Sequence, residues 1–170
     1  RVIFRVIPEN ATRLAALMAG EIDIMAAVPV HAIPDIERHP NLVLRPVMGT
    51  RSYFTELNVR RPPFNDKRVR QAMNYAIDVN LVIDQLLNGL GQPLSTILSP
   101  LAFGHNDDLK PYPYDPGKAR QLLAEAGYPN GFTFELSVED RRRDVAEAYA
   151  FMLSQIGVTA RVRVWGDYNS

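Results

Sequence analysis

The chain has 170 residues, 46% of them hydrophobic and 22% charged, the composition of a globular protein with room for one domain or for pieces of two. Nineteen basic and nineteen acidic side chains cancel, which argues against nucleic acid or an anionic membrane surface as the main partner. Cysteine is absent, which excludes disulfides, thiolate catalysis and cysteine-ligated metal, and no apolar run approaches the ~18 residues of a membrane span.

In chain order, residues 1–7 read as a strand from the first position, with no initiator Met and no signal peptide. The last residues, 165–170, show no helix stop or polar tail, so the chain is expected to be a piece of a longer one. Asn10 is placed to cap a helix carrying Leu14, Leu17 and Met18 on one face, with Gly20 beyond its end. Capping explains Asn10 better than the glycosylation sequon that Asn10-Ala11-Thr12 also matches. Residues 22–25 form a second short strand. Residues 28–40 hold a helix with Ile33 and Ile36 inward and Pro34 near its first turn. Residues 42–44 and 53–59 are apolar, aromatic or β-branched enough for two more strands.

A helical pair follows. Asn65 or Asp66 caps the first, whose Val69, Ala72, Met73, Ala76 and Ile77 form a complete apolar stripe. Asp78 caps the second, with Val79, Val82, Ile83, Leu86 and Leu87 on one face. Residues 91–116 are broken by five prolines and read as a packed surface loop. Asp115 and Pro116 then open another helix, with Ala119, Leu122, Leu123 and Ala126 inward and Gly127 at its stop. Phe132, Phe134, Leu136 and Val138 alternate with polar residues, as in a half-buried strand. A helix bearing Val145, Ala148, Tyr149, Met152, Leu153 and Ile156 comes next, and then a second alternation through Val158, Ala160, Val162 and Val164. Strand, helix, strand of this length predicts a right-handed crossover between parallel strands, so the fold class is α/β.

Motifs for chemistry are missing. There is no phosphate loop, no HExxH and no GxSxG, and Gly89-Leu90-Gly91 lacks the third glycine and the preceding strand of a dinucleotide fingerprint. His31, His39 and His105 are scattered and read as surface histidines, and no cofactor or metal is called for. The carboxylate pairs Asp107-Asp108 and Glu139-Asp140 read as solvated turn formers. Arg141, Arg142 and Arg143 stand where a helix begins, against the macrodipole. They are either a solvated turn neutralised by Glu139, Asp140, Asp144 and Glu147, or an anion site using the bidentate geometry of arginine. Tyr53 and Phe54 are either core aromatics or the wall of a ligand cleft.

Several blocks resemble one known family. Residues 4–8 followed by Ala15-Ala16-Leu17-Met18-Ala19-Gly20-Glu21-Ile22-Asp23 are similar to a segment of the family 5 extracellular solute-binding proteins. Leu57-Asn58 with residues 62–78, from Pro62-Pro63-Phe64-Asn65-Asp66 to Ala76-Ile77-Asp78, resemble that family's most recognisable block. Residues 114–128 resemble its later signature, followed by Gly131-Phe132, and Ile156-Gly157-Val158 fits the approach to its next strand. The blocks keep the family's order and cover nearly the whole chain.

The resemblance implies a fragment of a two-lobed, class II periplasmic-binding-protein-like fold, with a mixed sheet and flanking helices. Residues 1–48 would be the end of lobe one and 49–170 part of lobe two, with the crossing near Gly49-Thr50. The implied function is that of the substrate-binding component of an ABC importer, which captures a small solute without covalent chemistry. A di- or oligopeptide is the first expectation, and a sensing domain of a transcriptional regulator is the alternative. The implied partners are that ligand and a membrane permease, with no nucleic acid, and the location is periplasmic or lipid-anchored. In some relatives an arginine for the peptide carboxylate lies in the region that Arg141, Arg142 and Arg143 occupy here. The connection in this chain is shorter, so the correspondence is regional. A cut through lobe one would leave apolar faces uncovered, so the fragment is expected to self-associate.

Overall fold

Aspartates standing just before amphipathic runs start three of the helices. In the computed structural model, which describes residues 1–166, the Asp66 carboxylate accepts the Arg68 amide at 2.8 Å and opens a helix, α3, over Lys67–Tyr75. Asp78 accepts the Leu81 amide at 3.0 Å and opens α4, Val79–Leu86. Asp115 accepts the Lys118 amide at 2.8 Å and opens α5, Pro116–Glu125, with Pro116 in its first turn. Each fills the role of an N-cap, satisfying an amide that the helix itself leaves unpaired.

The first helix, α1, Asn10–Met18, corrects the expectation for Asn10. Its cap is Glu9, whose two carboxylate oxygens accept the amides of Ala11 at 2.9 Å and Thr12 at 2.6 Å. Asn10 is already helical, and its side chain accepts from Arg13. A carboxylate satisfies two orphan amides where one amide oxygen satisfies one, so the acidic residue wins. The helix expected over 28–40 is shorter, a 3-10 turn over Val30–Ala32 running into α2, Ile33–Arg38, with Ile33 and Ile36 buried as read from the sequence.

Two compact units divide the chain, Arg1–Val47 and Met48–Ser170. In the second unit α3 packs along α5, and their stripes meet the sheet and the last helix, α6, Arg143–Ser154. Val69, Ala72, Ala119, Leu123 and Val158 are almost fully buried there. Phe64 fills the middle of this core, edge-on to Phe132 at 5.7 Å and to Phe134 at 5.2 Å. Such edge-to-face pairs add to the burial of the rings themselves. Two arginines tie the layer together by closing helix ends. Arg68 donates to the Glu125 carbonyl at 2.6 Å, and Arg120 donates to the Gln155 carbonyl at 3.1 Å.

The sheet is the expected parallel pair. β1, Thr133–Glu139, and β2, Thr159–Trp165, run in register from Thr133 opposite Thr159 to Glu139 opposite Trp165, with α6 between them in sequence. Both strands leave from a close backbone contact. Gly131 has φ +75°, and a Cβ on it would lie 1.9 Å from the carbonyl oxygen of Gly157, itself at φ +83°. Only glycine fits there.

The strands expected at 1–7, 22–25, 42–44 and 53–59 do not form. These segments belong to no ladder, and the sheet among the described residues is the one parallel pair instead of a mixed sheet. Many of their apolar side chains stand in solvent, with Val2 80% and Phe4 91% exposed, although Leu57 packs against the core. β-propensity describes how side chains fit a pleated surface, and a strand also needs a neighbour to take its N–H and C=O groups. No helix among the described residues is long and apolar enough to cross a membrane.

Candidate functional site

The last residues of β1 and β2 bring an unusual set of side chains to the carboxyl edge of the sheet. β1 ends on Glu139, in register with Trp165 at the end of β2. A single 3-10 turn over Asp140–Arg142 then leads into α6. The turn throws three consecutive guanidinium groups around the strand end. In open α/β sheets, ligands sit outside the carboxyl ends of the strands.

Each arginine is held differently. Arg141 donates through Nε to Glu139 Oε2 at 2.5 Å. Arg142 approaches the same oxygen through Nε at 3.8 Å, and its guanidinium carbon lies 4.4 Å from the centroid of the Tyr53 ring. That is the geometry of a cation–π contact. Arg143 lies 3.7 Å from Asp140 Oδ1. The hydrogen bond from Arg141, with the charges of Arg141 and Arg142, lowers the Glu139 carboxyl below its ordinary value. Of the four carboxylates expected to neutralise the cluster, Glu139 and Asp140 do so by direct ion pairs, whereas Asp144 lies in the first turn of α6, where its charge suits the helix dipole.

The structure therefore brings Tyr53 and Arg142 together, 89 positions apart in the chain. Phe54 is not part of that contact and joins no aromatic pair among the described residues. Tyr53 is 62% exposed and Phe54 54%, so neither is a core aromatic in this chain. Chemically, the edge can hold an anion between guanidinium groups and an aromatic face.

Other residues weighed from the sequence lie elsewhere. His105 is not a plain surface histidine. Its side chain is 12% exposed, with Nδ1 2.9 Å from the Leu98 carbonyl and Nε2 3.6 Å from Asp107. Among the described residues no group of three or more histidine or acidic side chains could hold a metal ion. A hollow of about 280 Å³ exists in the first unit, walled by Arg5, Thr12 and Glu21, with Arg5 and Glu21 paired at 3.2 Å. It is open and lacks convergent unpaired groups, so the arginine edge is the better site.

A family model decides what kind of chain this is. The description "bacterial extracellular solute-binding proteins, family 5, middle" matches residues 1–169. The chain belongs to that family. Among its curated relatives, heme-binding protein A of Haemophilus influenzae is 33% identical across 99% of this chain, and the glutathione-binding protein GsiB of Escherichia coli K12 is 32% identical across 95%. The periplasmic binding protein DppA of Helicobacter pylori, solved with the peptide STSA, is 34% identical over 95% of the chain, with a TM-score of 0.86. The chain spans about a third of the length of each, 32% in all three cases. The α/β architecture is that of a fragment of these family 5 proteins.

Sequence reasoning singled out the arginines and Tyr53 but missed Glu139 as the hub between them. It read Glu139 only as a turn former and neutralising charge. The available signal was position, since Glu139 follows directly on the apolar alternation that ends the strand. Trp165 was read only as part of the chain end, because its partnership with Glu139 depends on the pairing register.

Proposed function

We propose that this chain forms part of the substrate-binding component of an ABC importer, capturing a small solute by noncovalent closure, with a short peptide as the ligand class. The single observation that carries the site is the Arg142–Tyr53 contact at the carboxyl edge of the parallel pair, with Arg141 and Arg143 on either side. A carboxylate is the natural guest of such a fork, since guanidinium groups pair with it through two parallel hydrogen bonds. Tyr53 and Phe54 supply exposed aromatic surface for the ligand's apolar parts. Residues 1–48 make up the end of lobe one and 49–170 part of lobe two. The partner is a membrane permease, and the location is the periplasm or the outer face of a membrane.

Support comes from the family and from the relatives, which are named for binding heme, glutathione and peptide. The sensing alternative draws nothing from these names. A binder needs an enclosing surface and a few orienting charges, and the arginine edge supplies the charges. The test is isothermal titration of a full-length protein carrying this chain against di- to pentapeptides, glutathione and nickel. Peptide binding in the micromolar range or tighter is expected. Binding of nickel with silence toward every peptide, glutathione included, would overturn the peptide assignment.

A further inference from the structure

We infer that Glu139 is an internal counter-anion of the arginine site, occupying on Arg141 and Arg142 the place of a ligand carboxylate and yielding it on capture. This rests on the reading of residues 141–143 as an anion site and adds what controls access to it. Glu139 ends β1, so its backbone is fixed opposite Trp165, and its side chain is only 27% exposed. Arg141, by contrast, is 65% exposed. The carboxylate is thus more shielded from water than the Arg141 guanidinium it holds.

The distances show why it is a stand-in and not a permanent lock. One oxygen, Oε2, serves two arginines, at 2.5 Å from Arg141 Nε and 3.8 Å from Arg142 Nε. Asp140 is taken up by Arg143. Arg142 is therefore the least neutralised of the three, and its terminal nitrogens make no hydrogen bond among the described residues. The Tyr53 ring lies against it, with the guanidinium carbon over the ring face. A guanidinium presents a fork that fits both oxygens of a carboxylate, and Glu139 leaves the fork of Arg142 unfilled. An incoming carboxylate completes it. Because the cations lower the Glu139 carboxyl below its ordinary value, Glu139 is charged and competing at neutral pH. The Arg141 side of the pair is open to water, so Glu139 can be displaced, and the residue sets a threshold that a weakly anionic ligand fails to pass.

The test uses a full-length protein carrying this chain, with labelled arginine and labelled glutamate, acetate as the probe, and NMR of the arginine Nε–Hε and glutamate carboxyl groups. In Glu139→Gln, which keeps the shape and removes the charge, acetate is expected to shift the Arg142 signal at about threefold lower concentration than in the unmodified chain. Glu139→Asp keeps the charge and is expected to respond as the unmodified chain does, which a merely structural role for Glu139 would not produce. In the unmodified chain the Glu139 carboxyl carbon is expected to move with the same acetate midpoint as Arg142, a readout that needs no variant to fold. Equal acetate response in the unmodified chain and Glu139→Gln, or a Glu139 carboxyl that stays still while Arg142 moves, would overturn the counter-anion role alone. Absence of any Arg142 response in all three forms would overturn the anion site and the counter-anion together.

Discussion

Gly131 carries the tightest backbone constraint in the second unit. Its positive φ and the 1.9 Å that would separate a Cβ from the Gly157 carbonyl leave no room for a side chain, and both strands of the sheet start from this contact. Gly131→Ala is expected to cost at least about 2 kcal/mol through strain and forced displacement. Urea denaturation followed by circular dichroism would read the loss as a lower midpoint. Ser99 is the buried polar residue among the described ones, 3% exposed, donating to the Gly49 carbonyl at 3.0 Å and accepting the Leu101 amide at 3.2 Å. Removing its hydroxyl leaves both groups unanswered. Ser99→Ala should therefore destabilise by about 1–3 kcal/mol, whereas Ser95, on the same loop without such partners, should tolerate alanine. A midpoint unchanged by Ser99→Ala would show that the loop does not depend on this bond.

At the scale of elements, the start of α3 is electrostatically poised. The hydrogen bond from the Arg68 side chain, helped by the Arg68 amide and nearby arginine charges, lowers the Asp66 carboxyl below its ordinary value of 3.8. A carboxyl depressed in the folded state contributes stability above its unfolded pKa and loses it as pH falls through the lower, folded value. Stability should accordingly drop as the solution is acidified below about pH 4, and Asp66→Asn should flatten that part of the profile. Thermal melts between pH 6 and pH 3 would compare the slopes, and equal slopes would mean that Asp66 does not contribute. Asp115 caps α5 by a plain hydrogen bond to the Lys118 amide, so Asp115→Ala is expected to cost about 1 kcal/mol, read as a lowered urea midpoint.

For the molecule as a whole, the uncovered surface decides behaviour in solution. Val2, Ile3, Phe4 and Val6 are each at least 74% exposed on a segment with no ladder partner, an arrangement prone to pairing with another chain. The isolated 170-residue chain is expected to associate in a concentration-dependent way, and Phe4→Lys with Val6→Lys should shift it toward monomer in light scattering. A monomer at every concentration would show that the segment finds its cover within one chain. Peptide affinity of this chain should also fall well below that of a full-length protein, because an open edge buries little of a ligand that a closed cleft would enclose. Parallel titrations of the two would settle it, and equal affinities would place the whole binding surface here.

Local signals in the residue order were enough for the helices of the second unit, the aspartate caps of α3, α4 and α5, the buried stripe from Val69 to Val158 and the parallel strand pair. Each follows from spacing and from amide groups that must be answered nearby. The family blocks were legible for the same reason, since they coincide with those caps and stripes. Pairing was not legible. Residues 1–7 and 53–59 have the composition of strands, but a ladder needs a partner, and composition carries no information about where that partner lies. The same limit hid the site's organisation. That Tyr53 would meet Arg142 is a contact across 89 positions, which exists only once the chain has folded, and that one oxygen of Glu139 would serve two arginines is decided by the 3-10 turn into α6.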